Sequence, residues 1–535
     1  MSFLNSVKMY LRFTWGLRKF LKETVTAEQA REVIKSRLKN REQNLLTIVK
    51  KAVYENNNSP YLKLLKLAGC EYEDFERMVK TDGIKPALKK LYQKGVYISI
   101  EEFKGKKEVI RGSNVFQFKA VDFDNPYLSG QFQSRSGGSR SAGTRTIYDF
   151  DYFTEHYAYN VANMYDAHEA TDFPIAMWLP IIGAGPVAMM TWPKGGMVPE
   201  KWFSPVEKKG FKPSLRRRFI ANYMVYMSRI SGVKMPAPEY IPMSDALKVA
   251  KWVADKIKEH GGCNVLTYTS AAVAVCQAAK ENGLDIKGAK FSLGGEPITE
   301  VKHKEVESVG AISLPIYAMI EAGTVGLPCS NPIAVDDVHL TRDSFAIIQQ
   351  PREVPHAAVS VDALLFTSLL TSAPKVLLNV ESGDYATVES RSCGCKLGEL
   401  GLTEHLYNIR GFDKLTSAGM TFVGTDMVRI IEEVLPSKFG GSSTDYQMVE
   451  EEDERGKTHM SVIVNPKVGD IDEAELKKTI LDELAKGADT QRMMAQVWSQ
   501  SKTLRVKRIR PYTTDAGKLL PLHIKKAKNP KDTTS

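Results

Sequence analysis

The sequence predicts an α/β protein that is built from more than one domain. Its 535 residues exceed what one core usually holds, since chains longer than roughly 250–300 residues divide into domains. In residues 111–411 short apolar runs alternate with helical stretches and with turns rich in Gly and Pro, as strands and helices do in α/β proteins. The pattern changes after residue 411, where a separate small domain is expected.

The first 110 residues are expected to be mainly helical. Residues 28–51 and 59–94 place apolar side chains at helical spacing among many Lys, Arg and Glu residues. Residues 1–24 also carry apolar side chains on one helical face that cations flank, which is typical of a helix lying on a membrane surface. Docking of this face on the protein itself is the simpler expectation, and peripheral membrane contact is the alternative.

The middle of the chain is expected to supply the main sheet. Helices are predicted at 244–259 and 270–282, and the clearest strands at 264–268, 290–293, 311–316 and 376–380. Residues 173–193 are apolar enough to suggest a membrane span, but they contain four prolines and two glycines, which would break a lipid-exposed helix. Buried strands and a turn are expected there instead.

The C-terminal residues are expected to form the small domain. Acidic residues 450–454 separate two strand-like runs, the second of them at 460–464, and a strong helix rich in Glu, Lys and Leu follows at 472–486. This succession predicts an α+β domain.

Composition limits the compartment and the partners. Six cysteines in a chain of this length do not form a disulfide scaffold, and no secretory signal is visible, so a reducing, cytoplasmic compartment is expected. The net charge of +10 is spread along the chain without a nucleic-acid-binding motif, so no nucleic-acid partner is expected. The oligomeric state is not determined by the sequence.

A stretch of small, hydroxyl-bearing and basic residues runs from Ser134 to Thr146. Such residues let a loop bring backbone N–H groups against phosphate oxygens, and arginines add charge-assisted hydrogen bonds. The stretch lacks the GxxxxGK pattern of a Walker loop. We expect a phosphate-binding loop of another kind, with contacts from Ser136, Gly137, Gly138, Ser139, Gly143 and Thr144.

Five further short motifs follow this loop along the chain. They are Gly294-Gly295-Glu296-Pro297, Tyr317-Ala318-Met319-Ile320-Glu321, Gly383-Asp384, Arg410 and Thr514-Asp515-Ala516-Gly517-Lys518-Leu519. Each motif alone is weak evidence, because Gly-Asp and Gly-Pro turns are common. The order of all six is the informative feature.

This order resembles the adenylate-forming superfamily of acyl- and aryl-acid ligases, and most of all its phenylacetate-CoA ligase branch. The resemblance covers about residues 55 to 522. It implies a large multi-subdomain N-terminal domain, with a helical part at 1–110 and an ATP- and acid-binding α/β region at 111–411. A small, mobile α+β domain at 412–535 would follow and carry Lys518.

The activity that the resemblance implies is ATP-dependent activation of an aryl or acyl carboxylic acid. The carboxylate attacks the α-phosphate, pyrophosphate leaves, and the acyl-adenylate passes to CoA or to another thiol or amine acceptor, such as a separate carrier. The acid pocket is expected within residues 155–195 and 265–322, whose apolar and aromatic content suits such a group. His156 and His168 are candidates for that pocket, although a core or surface position is the simpler expectation.

The resemblance also implies residue roles. Tyr317 would stack on adenine, Asp384 would accept the ribose hydroxyls, and the turn of Gly295, Glu296 and Pro297 would lie beside the base.

Three residues are implied in catalysis. Glu321 would hold the Mg²⁺ that bridges the phosphates, Arg410 would precede the hinge of the small domain, and Lys518 would reach the carboxylate and the α-phosphate as charge develops.

Three residues depart from the family pattern. Ala318 and Ile320 stand where glycine and threonine are usual, and Phe412 stands where the hinge residue is usually Asp or Lys. The missing threonine hydroxyl normally faces the α-phosphate. The alternative function is therefore a catalytically degenerate nucleotide-binding protein of the same fold.

A separate set of residues suits a metal ion. Cys329, His339, Cys393 and Cys395 supply four soft or borderline ligands, which is the tetrahedral set that Zn²⁺ prefers. Some members of the phenylacetate-CoA ligase branch carry a structural zinc on Cys, His and Cys-x-Cys at these relative places. Because a set of four protein ligands leaves no open position, a structural Zn²⁺ is expected.

Overall fold

The structure is a computed structural model that describes residues 3–135, 145–181, 183–205, 215–353, 360–411, 416–417, 420–421, 426–452, 458–486, 504–513, 517 and 519–524. It begins with helices that pack on the main sheet. Their bounds are Phe3–Lys22, Ala27–Lys39, Arg41–Val49, Lys50–Tyr54 (a π turn), Pro60–Leu67, Tyr72–Asp82, Ile84–Gln93 and Ile100–Phe103. The mainly helical prediction for this part is confirmed, and the predicted helix at 28–51 is interrupted at Asn40.

Local sequence signals explain where helices begin and end. Thr26 and Gln29 form a reciprocal capping box at the start of Ala27–Lys39, which satisfies two backbone N–H groups that the helix itself leaves open. The helix Ala246–His260 ends at Gly261, whose φ of 72° is left-handed and is available to glycine without steric cost.

The main sheet has twelve strands in the described part of the chain. In spatial order they are Phe345–Glu353, Ser360–Ser368, Val380–Ser390, Glu404–Gly411, Val338–Leu340, Gly323–Pro328, Ile312–Met319, Ala289–Gly294, Cys263–Thr267, Ile175–Trp178, Lys201–Ser204 and Pro238–Tyr240. The last six are mutually parallel, and the first six join them through antiparallel pairs.

Helices connect and cover the parallel half of the sheet. They are Phe150–Tyr152, Phe153–Ala158 (a π turn), Tyr159–Ala167, Ala184–Lys194, Leu215–Ile230, Met243–Asp245 (a 3₁₀ turn), Ala246–His260, Thr269–Glu281 and Glu300–Glu307. Strands Ile175–Trp178 and Cys263–Thr267 are buried at every position, as expected of parallel strands with both faces covered. The α/β prediction is confirmed.

The apolar segment 173–193 forms one strand and one helix of the core, so the expectation of strands is wrong for its second half. Strand Ile175–Trp178 and helix Ala184–Lys194 occupy it, and both are buried. Among the described residues, no helix combines the length and apolar composition that crossing a bilayer requires.

The strand predicted at 376–380 is also wrong, except at Val380. Residues 376–379 are buried but irregular, and the strand begins only at Val380. Asn379 has a φ of 52°, and its side-chain amide donates to the carbonyls of Leu88 and Val96 at 2.8 and 3.1 Å. The apolar run is therefore held in a loop by a side-chain hydrogen-bond network that strand propensity does not reveal.

The large domain and the segment that follows it also contain three short two-stranded ribbons and a short helix. The ribbons pair Val109–Arg111 with Asn114–Phe116, Phe132–Arg135 with Arg145–Tyr148, and Thr416–Ser417 with Met420–Thr421, and the helix is Lys396–Glu399.

The C-terminal part has its own sheet and its own hydrophobic core. Its strands, in spatial order, are Leu504–Arg508, Thr458–Val464, Tyr446–Glu452 and Leu522–Ile524, and its helices are Asp426–Arg429, Ile430–Val434 (a π turn), Leu435–Phe439, Pro466–Val468 (a 3₁₀ turn) and Glu473–Ala485. The predicted small α+β domain is confirmed, including its strand at 460–464 and its helix at 472–486.

A buried ion pair joins the small domain to the large one. Lys302 Nζ lies 2.6 Å from Glu432 Oε1, with side chains only 2% and 1% exposed. Thr299 also donates to Glu432 at 2.6 Å, and Ser443 donates to Glu305 at 3.3 Å. Burial raises the pKa of Glu305. The small domain therefore docks on helix Glu300–Glu307 through polar groups that are mostly withdrawn from water.

Removing one member of this pair is expected to loosen the docking. Because Glu432→Gln leaves the Lys302 ammonium buried without its counter-charge, the docked arrangement should lose about 3–5 kcal/mol. Limited proteolysis across residues 412–425 should accelerate, and the radius of gyration from small-angle scattering should increase.

Two control variants accompany this measurement. Lys438→Ala, which breaks an exposed pair with Glu475, should leave both readouts unchanged. The double variant Lys302→Met/Glu432→Leu should recover most of the docking, because it removes both charges. Equal proteolysis rates for Glu432→Gln and the native chain would contradict the assignment.

Candidate active site

Two of the predicted motifs meet at one edge of the sheet. Strand Ala289–Gly294 runs parallel to Ile312–Met319 with Gly294 opposite Ile316, so the Gly294-Gly295 turn lies beside Tyr317, which is still paired within the sheet. This is the carboxyl end of the parallel strands, where open α/β sheets bind ligands.

A hydrogen bond links the third and fourth motifs. The Tyr317 hydroxyl donates to Asp384 Oδ2 at 2.8 Å. Burial raises the pKa of Tyr317 well above its usual value, and the neighbouring Asp384 charge adds to the effect, so the phenol remains a donor. Gly383, with a φ of 85°, lies within strand Val380–Ser390 where the pairing register shifts, so an irregularity of the strand, and not the expected turn, presents Asp384.

Arg410 lies next to Asp384 through strand pairing. Tyr385 pairs with Arg410 in the antiparallel ladder, and Asp384 pairs with the following Gly411. The Arg410 guanidinium donates to Asp336 at 2.9 Å and to the Ile409 carbonyl at 2.7 Å. Asp336 therefore fixes the orientation of Arg410 at this edge of the site.

Glu296 makes contacts that the sequence did not indicate. Its carboxylate accepts hydrogen bonds from the backbone N–H of Ser270 at 2.8 Å and from the Ser270 hydroxyl at 3.0 Å. Ser270 lies in the first turn of helix Thr269–Glu281, where a negative group offsets the open N–H groups and the helix dipole. Glu296 thus ties the glycine turn to this helix, and contact with a nucleotide stays a prediction.

The predicted phosphate loop connects two paired strands. Residues Ser136, Gly137, Gly138, Ser139, Gly143 and Thr144 lie outside the described residues. The flanking strands Phe132–Arg135 and Arg145–Tyr148 are paired up to Arg135 and Arg145, so these two strands form an antiparallel hairpin. Tyr148 donates its hydroxyl to the Ile320 carbonyl, which joins the base of this hairpin to the Tyr317–Glu321 motif.

Arg145, at the end of this loop, pairs with a carboxylate of the large domain. Its guanidinium lies 2.7 Å from Asp124 Oδ2, and the buried Lys375 ammonium lies 2.5 Å from the other oxygen of Asp124. Burial lowers the pKa of Lys375, while Asp124 and Glu321 both act in the opposite direction. Glu321 is therefore within electrostatic reach of this cationic cluster.

Buried tyrosines hold the segment that carries Glu321, and sequence analysis missed them. Besides Tyr148, Tyr152 donates to the Ala322 carbonyl at 2.5 Å. A Cβ at Gly323 would lie 2.9 Å from the His156 ring and 3.0 Å from Tyr157, so the turn packs closely on the aromatic cluster. The signal was present as a run of aromatic residues at 148–157, but only the fold shows which carbonyls they contact.

Of the two candidate pocket histidines, His156 is a core residue and His168 is half-buried. His156 is buried, and burial lowers its pKa to about 3, so the ring is neutral and faces the Ser344 hydroxyl at 3.1 Å. His168 contacts the Pro328 carbonyl at 3.0 Å. The contacts of both histidines are therefore explained without a substrate, in agreement with the simpler expectation of a core or surface position.

The small domain brings its last motif to the same edge of the sheet. Lys518 lies outside the described residues, but its neighbour Gly517 is described, and a Cβ there would lie 3.0 Å from Pro205 Cγ. Pro205 follows strand Lys201–Ser204, which runs parallel to the site strands. Four strand spacings, about 19 Å, separate strand Lys201–Ser204 from strand Ile312–Met319. A substrate that contacts both strands must therefore extend along the carboxyl ends of the strands between them.

The predicted metal ligands come together in a buried cluster. The ligand atoms of Cys329, His339, Cys393 and Cys395 lie within 4.8 Å of one another, with His339 Nε2 at 3.1 Å from Cys395 Sγ and at 3.7 Å from Cys393 Sγ. Ligand atoms around a tetrahedral Zn²⁺, bound at about 2.0–2.3 Å, lie about 3.5 Å apart. The spacing therefore fits such an ion.

The histidine of this cluster is oriented for a metal. His339 Nδ1–H donates to the Leu402 carbonyl at 2.6 Å, which fixes the tautomer with a lone pair on Nε2, the atom that faces the thiols. A hydrogen bond from the Cys329 thiol lowers the pKa of Cys395, which favours the thiolate, the form that binds a metal.

The cluster lies away from the candidate active site. Gly323 begins the strand Gly323–Pro328 at the site edge, and Cys329 follows its other end, about 20 Å away at 3.3 Å per residue. This distance supports a structural role over a catalytic one.

No protein-family model matches the sequence, and a search of curated proteins gives no match. Solved structures give matches of low similarity. The complex of 2-hydroxyisobutyryl-CoA ligase with 2-HIB-AMP and CoA is 13% identical, with 94% of this chain and 91% of that chain covered and a TM-score of 0.42. ATP-bound MatB from Rhodopseudomonas palustris is 12% identical, with 81% and 71% covered and a TM-score of 0.44.

A third match is the amide bond synthetase McbA from Marinactinospora thermotolerans. It is 11% identical, with 95% of this chain and 98% of that chain covered and a TM-score of 0.40. Structures of acyl-acid ligases and of an amide bond synthetase are thus among those to which this chain is similar, and the phenylacetate-CoA ligase branch in particular stays a prediction.

Proposed function

We propose that this chain is an AMP-forming acid ligase that activates an aryl or acyl carboxylate as an acyl-adenylate. One observation carries the proposal: motifs far apart in sequence converge at the carboxyl edge of the parallel strands. The glycine turn, Tyr317, Asp384 and Arg410 lie there together, and Gly517 approaches the same edge from the small domain.

The nucleoside part of ATP would bind around Tyr317 and Asp384. A carboxylate can accept both ribose hydroxyls, and the Tyr317 hydroxyl already orients one oxygen of Asp384. Gly294 and Gly295 have no side chains, so an adenine ring can lie against their backbone. Arg410, which Asp336 holds beside Asp384, would add positive charge where phosphates bind.

The phosphates would lie between the hairpin loop and Glu321. Tyr148 ties the two together through the Ile320 carbonyl. The hard carboxylate oxygen of Glu321 suits Mg²⁺, which usually keeps several waters and takes only one or two carboxylates besides the substrate phosphates. Mg²⁺ held there would offset phosphate charge as pyrophosphate departs.

Lys518 would contact the carboxylate and the α-phosphate as negative charge develops in the transition state. In the reaction a carboxylate oxygen bonds to the α-phosphorus, the bond to the bridging oxygen of pyrophosphate breaks, and negative charge moves onto that oxygen. A lysine ammonium that meets this charge only as it develops lowers the barrier without tightening substrate binding. The acyl group would then pass to CoA, to a carrier thiol or to an amine.

Zn²⁺ is proposed as a structural ion on Cys329, His339, Cys393 and Cys395. The fit of their spacing and the tautomer of His339 support it. All six cysteines are free thiols, which agrees with a reducing compartment, and we propose the cytoplasm.

Glu321→Gln is expected to raise the Mg²⁺ concentration needed for half-maximal activity by about tenfold, because the carboxamide keeps the shape but lacks the charge that attracts the ion. The thermal midpoint should change little, since Glu321 is only partly buried. ATP–pyrophosphate exchange at graded Mg²⁺ measures the effect. Glu300→Gln, which changes an exposed carboxylate on helix Glu300–Glu307, is the control. Normal exchange of Glu321→Gln at limiting Mg²⁺ would exclude Glu321 as the ligand.

The function itself is tested by ATP–pyrophosphate exchange with the native chain across aryl, fatty and amino acids. Exchange that depends on one class of acid is the expected result. The second candidate, a degenerate nucleotide-binding protein, is favoured by Ile320 at the place of the usual threonine. It predicts ATP binding without exchange for every acid, and Ile320→Thr should not create exchange.

A further inference from the structure

Two neighbouring helices near the surface of the large domain form one exposed face. Helix Phe3–Lys22 packs beside helix Leu215–Ile230, with the Phe13 and Tyr223 rings 6.3 Å apart and a hydrogen bond between Tyr223 and Thr14. The first helix is docked on the protein through one side, as the simpler expectation had it.

The docking fixes the orientation of the first helix. Phe13, Leu17 and Phe20 are buried, and the Phe20 ring stacks on Phe150 at 4.7 Å. A Cβ at Gly16 would lie 2.6 Å from the Phe150 ring, so glycine is what allows the helix to lie this close. The opposite side of the helix is therefore presented outward by a rigid support.

The outward side carries large apolar side chains at helical spacing. Trp15 is 91% exposed and Leu11, four residues earlier, is 63% exposed, while Tyr226 and Ile230 of the second helix are 62% and 47% exposed. Tyr226 and Ile230 lie three and seven residues after Tyr223, so they lie on the side of the second helix that carries Tyr223. We call these four residues the two-helix face.

Every charged residue of these two helices is positive. The first helix contains Lys8, Arg12, Arg18, Lys19 and Lys22, the second contains Arg216, Arg217, Arg218 and Arg229, and neither contains Asp or Glu. Arg18, Lys19 and Lys22 are exposed beside Trp15. An exposed tryptophan among cations, with aliphatic side chains next to it, matches the interfacial zone of a bilayer.

We infer that the two-helix face docks this protein on the surface of an anionic lipid bilayer. The exposed Arg18, Lys19 and Lys22 would lie at the headgroups, whose negative charge attracts them, and Trp15 and Leu11 would enter the acyl boundary. Nucleic acid would use the cations but gives Leu11 and Ile230 no apolar partner. The inference does not depend on the proposed enzymatic function.

Vesicle sedimentation of the full chain tests the inference. The native protein should bind vesicles of phosphatidylcholine with about 30% phosphatidylserine, and binding to phosphatidylcholine alone should be at least about tenfold weaker. Binding to the mixed vesicles should weaken as salt is raised. Leu11→Ala/Trp15→Ala and Arg18→Glu/Lys19→Glu should each weaken it at least about tenfold, given the contribution of each cation and of buried apolar area.

Two control variants make the same kinds of substitution on a surface outside the two-helix face. Ile110→Ala/Val115→Ala trims two exposed apolar residues paired on another hairpin, and Lys106→Glu/Lys107→Glu reverses two exposed cations. Both controls should bind like the native chain. Because the altered side chains are exposed, circular dichroism should show unchanged thermal midpoints for all four variants.

Three results would overturn the inference. One is equal binding to neutral and anionic vesicles, and another is equal weakening by the control variants. The third is a lack of vesicle binding by the native chain, including the case in which the face binds DNA or an acidic protein instead.

Discussion

Lys518→Ala is expected to lower the rate of acyl-adenylate formation by about 100-fold or more, the scale for losing one preorganised charge contact in the transition state. ATP affinity should change less than about threefold, because the contact forms only as charge develops at the carboxylate and the α-phosphate. The approach of Gly517 to Pro205 at the ligand edge of the sheet supports this role. Single-turnover kinetics and calorimetric ATP titration separate the two effects.

Lys478→Ala provides the matched control. Lys478 is an exposed lysine on helix Glu473–Ala485 of the same small domain, so its removal changes net charge equally without touching the proposed site. Its rate should equal that of the native chain. A Lys518→Ala variant that forms adenylate at the native rate would exclude the residue from catalysis.

Cys393→Ser is expected to lose bound zinc and thermal stability together. The purified native chain should hold about one Zn²⁺, and the variant less than about a tenth of that, because a serine hydroxyl is a poor substitute for thiolate in a tetrahedral sulfur and nitrogen set. Since the ion is bound by the folded state only, its loss removes binding free energy from folding. Elemental analysis and thermal denaturation measure the two effects.

Cys263→Ala controls for the loss of any buried thiol. Cys263 is buried in strand Cys263–Thr267, outside the metal cluster, so this variant should keep its zinc and lose only the stability that a small core cavity costs. A zinc-free native preparation of full stability, or a Cys393→Ser variant with unchanged metal content, would refute the metal site.

The sequence indicated the ends of strands better than the contacts between them. The turn at Gly294 could be recognised because glycine at a strand end has a local cause, whereas Gly383 lies within strand Val380–Ser390 and the turn expected there is wrong. The bond from Tyr317 to Asp384 joins residues 67 positions apart, and no local pattern contains it. The apolar run at 376–379 misled the prediction because Asn379, a polar residue, holds it in a loop.

Buried polar contacts explain most of what the sequence did not reveal. Tyr148 and Tyr152 act through carbonyl oxygens of the Glu321 segment, and Lys302 with Glu432 joins two domains. Lysine and glutamate are the commonest surface residues, so their sequence gives no sign that they are buried. The four proposed zinc ligands were easier to identify, because they form a ligand set that Zn²⁺ prefers and stand at the relative places implied by the resemblance to the phenylacetate-CoA ligase branch.

Isotope transfer tests the central claim, attack of a carboxylate on the α-phosphorus of ATP, most directly. An acid that supports exchange would be supplied with ¹⁸O in both carboxylate oxygens, together with ATP, Mg²⁺ and an acceptor such as CoA or hydroxylamine. One of these oxygens becomes the bridge to phosphorus and stays on AMP when the acyl group leaves. We expect AMP that carries one ¹⁸O per turnover and unlabelled pyrophosphate. Label in inorganic phosphate together with ADP, or unlabelled AMP, would contradict the proposed chemistry.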